Sequence, residues 1–296
     1  MKRSSKTKRD APPAVPLPHP KTTQHLSLFR YPGGKSWLVP QISRWLLNKN
    51  AGMFIEPFAG GGAISLAVAN QQLARHVLMC EIDRGVAAVW NSVLNGDADW
   101  LRKKIASFSL TKTNVRKELA AHGDHQRRLA FRTLLRNRTS HGGLLTLGSA
   151  LLRKGENGKG LRSRWYPETL VSRLDLIKTF RDRITFVEGD GVQLLESLSR
   201  AKQCFFFLDP PYTAGSISAG ARMYEHHEVD HARLFSVAKR MAGEFLMSYD
   251  DTPEIRLMAR AHGFKVHTVE MRTRHHVAAK ELLICRDFTW LAKRTK

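Results

Sequence analysis

The sequence predicts an α/β fold in which a largely parallel, doubly wound sheet is interrupted by an inserted, mainly helical subdomain. Two observations lead to this prediction. Short apolar runs typical of buried strands alternate with segments of helical periodicity in two blocks, residues 26–101 and 184–296. The segment between them, residues 102–183, breaks this alternation and is strongly basic. A chain of 296 residues is long enough for one such domain with an insertion.

The first block begins after a basic, proline-rich segment, residues 1–25, which is predicted to be a disordered tail because it contains too little apolar surface to fold. Within the first block, the predicted elements alternate along the chain: strand 52–58, helix 62–73, strand 77–82 and helix 85–94.

The second block repeats this alternation and is predicted to complete the same sheet. Its predicted elements are strand 184–187, helix 193–198, strand 204–208, helix 231–241, strand 245–248, helix 254–262, and strands 266–270 and 281–285.

The charge of the chain favours a polyanionic partner. The net charge is +22, and the insertion, with 20 basic and six acidic residues, contributes +14 of it. Its basic residues are mixed with aromatic and polar side chains rather than arranged on an amphipathic helix, which favours nucleic acid over an anionic membrane. No apolar run is long enough to cross a bilayer, and the N-terminal residues lack the apolar core of a signal peptide.

The cysteine and histidine residues predict no metal site. The three cysteines, Cys80, Cys204 and Cys285, lie far apart in apolar stretches and are expected to be buried thiols in a reducing cytoplasm. The 13 histidines include the pairs His226-His227 and His275-His276, and neither pair has acidic or cysteine neighbours at a metal-ligand spacing.

The most informative motif is Asp209-Pro210-Pro211-Tyr212, directly after the apolar run 204–208. Because neither proline has an amide hydrogen, the strand must end there, and Pro211 holds Pro210 in an extended conformation. A carboxylate and an outward carbonyl then face one small volume beside an aromatic ring. This arrangement suits an aromatic amine such as the amino group of a nucleobase.

A second motif predicts a nucleoside site. A strand ends at Phe58 and is followed by the glycines of residues 60–62, which let the backbone approach a ligand at the carboxyl end of the sheet. Ser65 replaces the third glycine of a dinucleotide-binding fingerprint, so no pyrophosphate is expected. Glu81 ends the next strand, where a carboxylate typically binds ribose hydroxyls.

Three segments together resemble the DNA adenine N6-methyltransferases of the alpha group: residues 29–35 (Phe-Arg-Tyr-Pro-Gly-Gly-Lys), residues 54–62 and residues 209–212. The order of cofactor motif, recognition insertion and catalytic turn is also that of the group. The resemblance covers nearly all of the chain after residue 26. It implies a Rossmann-like methyltransferase with S-adenosylmethionine as cofactor and double-stranded DNA as partner, in a prokaryotic or phage cytoplasm, associated with the nucleoid and with restriction–modification.

The resemblance also implies roles for single residues. Tyr31 and Lys35 would lie at the methionine end of the cofactor, beside the loop that contains Phe58, Gly60 and Gly62. Glu81 would bind the ribose, and Asp190 would lie near the adenine ring. Asp209, Pro210, Pro211 and Tyr212 would be the catalytic residues, with Asp209 also at the cofactor. Residues 248–251 look like the group's later strand-end motif.

For the chemistry, Asp209 and the Pro210 carbonyl would each accept one hydrogen of a flipped adenine's amino group, so that its lone pair points at the methyl donor. Tyr212 would stack on the base. Residues 213–222 would form a lid over it or a plain surface loop. The candidate DNA contacts are Arg136, Asn137, Arg138, Arg162 and Arg164, because Arg and Asn side chains can form hydrogen bonds with base edges.

Two other functions stay open from the sequence. RNA adenine could be the substrate, because positive charge does not distinguish the two polymers. A non-catalytic DNA-binding protein on the same fold is the other alternative, and the intact Asp209 turn and Lys35 argue against it. Methylation of a protein glutamine is disfavoured, because glutamine methylases usually have Asn at the position of Asp209. The protein could act either as a monomer or as a homodimer.

Overall fold

A computed structural model describes residues 25–30, 34–121, 123, 125–143, 145, 150–153, 155, 158–211, 229–272 and 278–292. Seven strands form one sheet: β1 (Ala51–Glu56), β2 (Ala74–Glu81), β3 (Ile184–Glu188), β4 (Cys204–Leu208), β5 (Glu244–Asp250), β6 (Lys265–Arg272) and β7 (Ala278–Cys285). The helices are α1 (Val39–Leu46), α2 (Ala63–Asn70), α3 (Arg84–Leu94), α4 (Ala98–Ser107), α5 (Lys112–Ala120), α6 (Gln126–Thr139), α7 (Pro167–Lys178), α8 (Gly191–Ser197), α9 (His231–Arg240), α10 (Pro253–Ala261) and α11 (Thr289–Ala292). The predicted tail, except for residue 25, and the predicted lid lie outside the described residues.

The strand order in the sheet is β3-β2-β1-β4-β5-β7-β6. The first five strands are parallel, whereas β7 is antiparallel to both β5 and β6. The prediction of a largely parallel α/β sheet is confirmed. The chain leaves β1 in one direction through β2 and β3 and returns to the other side of β1 with β4, which makes the β1–β4 boundary a topological switch point.

Helices cover both faces of the sheet because neighbouring strand residues point to opposite sides. Phe54 and Phe205 belong to a core on the face covered by α1, α2 and α3. Ile55 and Phe206 belong to a core on the other face, which is covered by α8, α9 and α10. Strands buried on both faces explain the continuous apolar sequence at residues 204–208.

The insertion shares the first core instead of forming its own. Phe131 of α6 packs edge-to-face on Phe108 and on Trp165, and all three lie in the same apolar cluster as Phe54 of β1. The predicted boundary at residue 102 also falls inside α4, which begins at Ala98. The expectation of a separate subdomain is therefore corrected: the helices α4 to α7 extend the domain next to α3.

Among the described residues, no helix is long and apolar enough to cross a membrane.

Candidate active site

Three of the predicted site residues lie at the carboxyl ends of β2, β1 and β4, which are adjacent in the sheet. Glu81 is the last residue of β2, Gly60 lies in the loop after β1, and Asp209 directly follows β4. Three loops separated by up to 150 residues in the sequence thus meet at one edge, next to the switch point where ligands of open α/β sheets bind.

The loop after β1 depends on two left-handed glycines. Gly60 has φ 46° and Gly62 has φ 62°, a backbone region that strains other residues. A Cβ on Gly62 would lie 2.7 Å from Met79 Cε and 2.8 Å from Trp90 Cζ2, so the loop is packed tightly on its inner side. A Cβ on Gly60 would have no atom within 4 Å. The loop therefore faces open space at Gly60 and is closely packed at Gly62.

Glu81 fastens this loop to the end of β2. Its Oε2 accepts a hydrogen bond from Gly60 N at 2.7 Å, and its Oε1 accepts from Ile82 N and Asp83 N, both at 2.9 Å. Burial raises the pKa of Glu81 to about 7, and the backbone hydrogen bonds oppose this rise. Trp90 holds the other side of the loop by donating from Nε1 to the Gly60 carbonyl at 2.8 Å.

A second carboxyl group, Glu56, lies beneath the same loop. It is 4% exposed, and its Oε2 accepts from the Ser65 amide at 2.9 Å. Burial raises the pKa of Glu56 to about 8, so it holds a proton at neutral pH. Ser65, which occupies the place of the missing third glycine, is thus bound to the end of β1. Glu56 belongs to none of the candidate site residues predicted from the sequence, although an acid next to a glycine cluster is a usable signal.

Asp190 follows β3 and caps α8. Its Oδ1 accepts from Val192 N at 2.7 Å and from Gln193 N at 3.0 Å, while Oδ2 makes no hydrogen bond to the described residues. Gly189 N donates to the Glu81 carbonyl at 3.0 Å, which ties the β3 loop to the β2 loop. Asp190 is therefore the neighbour in sequence of a residue that is hydrogen-bonded to Glu81.

Lys35 is the centre of a buried ion-pair cluster. Its Nζ lies 3.3 Å from Asp209 Oδ1 and 3.4 Å from Oε1 of Glu281, an acid in β7. The side chain of Lys35 is only 7% exposed. Burial lowers the pKa of Lys35, but the negative charges of Asp209 and Glu281 outweigh it and hold the pKa above its usual value. The structure thus joins two predicted site residues, Lys35 and Asp209, and adds a third that the sequence analysis missed.

The remaining predicted residues of the turn and the loop are only partly described. Pro210 is buried and Pro211 is half-buried. Phe58 packs against the core on the α8 side of the sheet. The predicted residues Tyr31 and Tyr212 lie outside the described residues. No group of three or more His, Cys, Asp or Glu side chains suited to a metal ion occurs in the part of the chain that the structure describes.

Two of the candidate DNA contacts are structural instead. Asn137 is fully buried, accepts from Arg30 N at 2.8 Å and donates to the carbonyls of Arg30 and Gly143. Arg138 is 3% exposed, donates to the Leu28 carbonyl, and has its pKa lowered to about 9 by burial. The prediction that Asn137 and Arg138 contact DNA is corrected, because they fasten the segment 25–30 onto α6.

The other three candidates are accessible to different degrees. Arg162 is exposed, whereas Arg136 and Arg164 are half-buried. One Arg136 contact within the chain is long, at 3.4 Å to the Leu145 carbonyl. These three residues remain predicted DNA contacts.

A comparison with models of protein families identifies the family of the chain. A family model described as the D12 class N6 adenine-specific DNA methyltransferase matches residues 31–274, most of the sequence. The chain belongs to this family. The predicted resemblance to DNA adenine N6-methyltransferases is therefore confirmed, and the cofactor of this methyltransferase is S-adenosylmethionine. Among curated proteins, none matches the sequence.

Several solved structures resemble the methyltransferase remotely. A Pyrococcus horikoshii protein proposed to be an RNA methyltransferase is 12% identical, with 87% of this chain and 84% of that chain covered and a TM-score of 0.38. A Geobacter sulfurreducens methyltransferase is 13% identical, covering 86% and 80%, with a TM-score of 0.36. The magnesium protoporphyrin IX methyltransferase of Synechocystis, solved with its S-adenosylmethionine, is 12% identical, covering 85% and 79%, with a TM-score of 0.35.

The residues present fit S-adenosylmethionine, which offers hydrogen-bond donors from an ammonium, a ribose and an adenine amino group. The open space at Gly60 leaves room for a ligand against the backbone. Glu81 and Asp190 supply carboxylate acceptors at the ends of β2 and β3, two neighbouring strands on one side of β1. No lysine- or arginine-lined phosphate cradle is required, which agrees with Ser65 in place of a glycine.

Proposed function

We propose that this methyltransferase transfers a methyl group to the N6 amino group of adenine in double-stranded DNA. The observation that carries the proposal is the placement of Asp209 at the same sheet edge as the Gly60 loop, with Lys35 Nζ 3.3 Å from its Oδ1. Such a transfer needs a group that accepts the amino hydrogens of the base, placed beside the loop that binds the cofactor. Membership in an adenine-specific family supports the choice of base.

The amino group of adenine is a poor nucleophile because its lone pair is delocalised into the ring. We propose that a carboxylate oxygen of Asp209 and the Pro210 carbonyl each accept one amino hydrogen. Together they favour a pyramidal nitrogen with a directed lone pair, so positioning and electrostatics supply most of the rate. The nitrogen gains a methyl group and loses one proton, for which Asp209 is the nearest proposed acceptor.

S-adenosylmethionine, when bound, would supply an electrophilic methyl carbon, with a neutral thioether as the leaving group when an amine attacks that carbon directly. Among the residues of this chain, Glu81 is proposed to bind the ribose and Asp190 the adenine ring. Phe58, Gly60 and Gly62 form the loop along the ligand. Tyr31 and Lys35 are proposed at the methionine end.

We propose that the base is flipped out of the duplex, because its amino group is paired there, at a cost of a few kcal/mol. Tyr212 would offset part of this cost by stacking, worth about 1–3 kcal/mol. The charge of +22 supports binding to phosphates, and Arg136, Arg162 and Arg164 are the proposed contacts. This proposal places the protein at the nucleoid of a prokaryotic or phage-infected cell.

The substrate is tested by incubating the protein with tritiated S-adenosylmethionine and either duplex DNA or total RNA. We expect label in DNA, recovered after digestion as N6-methyladenine. Label in RNA alone would refute the DNA assignment. Label in neither polymer would favour a non-catalytic protein on this fold.

The catalytic assignment is tested with Asp209→Ala. We expect methyl transfer to be abolished while DNA affinity stays near that of the unmodified protein. The matched control is Asp99→Ala, which removes an exposed carboxylate paired with Lys178 far from the site. Retention of most of the activity in Asp209→Ala would show that the turn does not perform the chemistry.

A further inference from the structure

Glu281 is a buried acid for which neither the sequence motifs nor the family match gives a role. It lies in β7, seven residues beyond the end of the matched segment at residue 274. Its side chain is 4% exposed. Because a carboxylate is rarely buried without a partner, its contacts are informative.

The contacts of Glu281 run from the sheet to the catalytic turn. One oxygen, Oε1, lies 3.4 Å from Lys35 Nζ, and the other, Oε2, accepts from the Ser248 hydroxyl at 3.1 Å. Lys35 in turn lies 3.3 Å from Asp209 Oδ1. Ser248 belongs to β5 and Glu281 to β7, where it pairs with Asp250 at the end of β5. A chain of polar contacts therefore links two rigid strands to the residue after β4.

We propose that Glu281 is a positioning residue for methyl transfer, which fixes the Lys35 ammonium so that Lys35 in turn fixes Asp209. This inference rests on the proposed function of Asp209 as acceptor of the amino hydrogen. A lysine head group lies at the end of a flexible four-carbon stem and positions a partner poorly by itself. Two carboxylates, one directly after β4 and one in β7, hold it at two points, which is the kind of support that a reacting group needs.

Electrostatics supports the same arrangement. Three carboxyl groups from three elements act on Lys35: Asp209 after β4, Asp250 at the end of β5 and Glu281 in β7. Burial raises the pKa of Glu281, and the charge of Lys35 opposes that rise. Loss of the Glu281 charge would remove one of the two close carboxylates that Lys35 has among the described residues, so the pKa of Lys35 would fall. The ammonium would then lose its proton at a lower pH.

The first test observes Lys35 in the protein without cofactor or DNA, by the 1H–15N NMR signal of its ammonium group. The signal is assigned by its loss in Lys35→Met. We expect a sharp signal in the unmodified protein, a broadened or lost signal in Glu281→Gln, and partial recovery in Glu281→Asp, which restores the charge. The control Glu244→Gln breaks an exposed ion pair with Lys49 at the opposite end of β5 and should leave the signal unchanged. An unchanged sharp signal in Glu281→Gln would overturn the proposal.

The second test measures single-turnover methylation at saturating S-adenosylmethionine. We expect Glu281→Gln to react about 100-fold more slowly, because a misplacement of about 1 Å at a reacting group can cost that much. We also expect the alkaline limb of its pH profile to move to lower pH. Full recovery of the rate at saturating cofactor would mean that Glu281 serves cofactor binding alone, which overturns the proposal.

The two tests distinguish failure of the proposed function from failure of the role proposed for Glu281. If the unmodified protein methylates neither DNA nor RNA, the proposed function fails, but the NMR test of the Glu281–Lys35 contact still gives its result. If Glu281→Gln does not fold, Ser248→Ala replaces it, because it removes only the hydroxyl that holds Glu281 Oε2. A broadened Lys35 signal in Ser248→Ala supports the inference, and an unchanged signal refutes it.

Discussion

The glycine loop after β1 gives the sharpest test of where the cofactor binds. Gly60 and Gly263 both have left-handed backbones, with φ 46° and 76°, and a Cβ on either has no atom within 4 Å. Gly60 lies at the carboxyl edge of the sheet. Gly263 precedes β6, which runs parallel to β5, so it lies at the opposite edge. Alanine at each position therefore causes the same backbone strain, but only one methyl group would occupy the proposed cofactor space.

We expect both substitutions to cost about 1–2 kcal/mol, the strain of a left-handed alanine. This corresponds to a melting temperature lower by about 2–8 °C for a chain of this size. S-adenosylmethionine affinity, measured by calorimetry, should fall only in Gly60→Ala. A methyl group forced against a ligand costs about 1–3 kcal/mol, hence about 5-fold to 150-fold in Kd.

Gly62→Ala extends the series. The flexible end of Met79 can move away from the new methyl group, but the Trp90 ring is held by its hydrogen bond to the Gly60 carbonyl. We expect a further loss of about 1–3 kcal/mol of stability from overpacking. Equal cofactor affinity in Gly60→Ala and Gly263→Ala would refute the placement of the cofactor along this loop.

Three further predictions concern other parts of the molecule. Asn137→Ala removes the buried side chain that accepts from the Arg30 amide at 2.8 Å, and it should cost about 1–3 kcal/mol in urea unfolding; a change within about 0.5 kcal/mol would contradict the structural role assigned to Asn137. The pKa of Glu56 rises from 4.5 to about 8 on folding, so between these pH values the folded state keeps a proton on Glu56 that the unfolded state has lost. The free energy of unfolding should therefore fall as pH rises through this range, by at most about 1.4 kcal/mol per pH unit. Glu56→Gln should reduce this slope in unfolding curves at pH 5 to 8, and an identical slope would show that Glu56 does not titrate with folding. Arg162→Ala should weaken DNA binding and reduce the salt slope of the binding constant by about 1, and an unchanged slope would remove Arg162 from the phosphate contacts.

Local sequence signals were sufficient to predict features that depend on a single strand or on the loop that follows it. The strand at residues 204–208 was predicted with its observed bounds, because a strand buried on both faces must be apolar throughout and the two prolines end it. The convergence of Gly60, Glu81 and Asp209 also followed from local signals, since the carboxyl ends of parallel strands lie at one edge. The reversal of β7 was not predicted, although the short connection between β6 and β7 permits only an antiparallel pair.

Contacts between distant segments could not be predicted in this way. Asn137 and Arg138 lie in a basic segment, a pattern that favours a DNA surface. Their burial depends on the segment 25–30, whose hydrogen bonds to them span 107 and 110 residues of sequence. Glu281 is a similar case, because a single acid in a strand usually faces solvent. Its burial depends on a counter-ion, Lys35, which comes from the other end of the chain.

The distribution of charge connects the two halves of the proposed function. The chain as a whole has a net charge of +22, yet the carboxyl edge of the sheet gathers acids that act on one another, including Glu56, Glu81, Asp209 and Glu281. A basic exterior attracts the phosphates of a nucleic acid. An acidic interior disfavours those phosphates and favours cationic or hydrogen-donating groups, such as a sulfonium, an ammonium and an adenine amino group. The same opposition explains why Lys35 contacts two carboxyl groups: in the described part of the site, Asp209 and Glu281 hold its buried ammonium group in place.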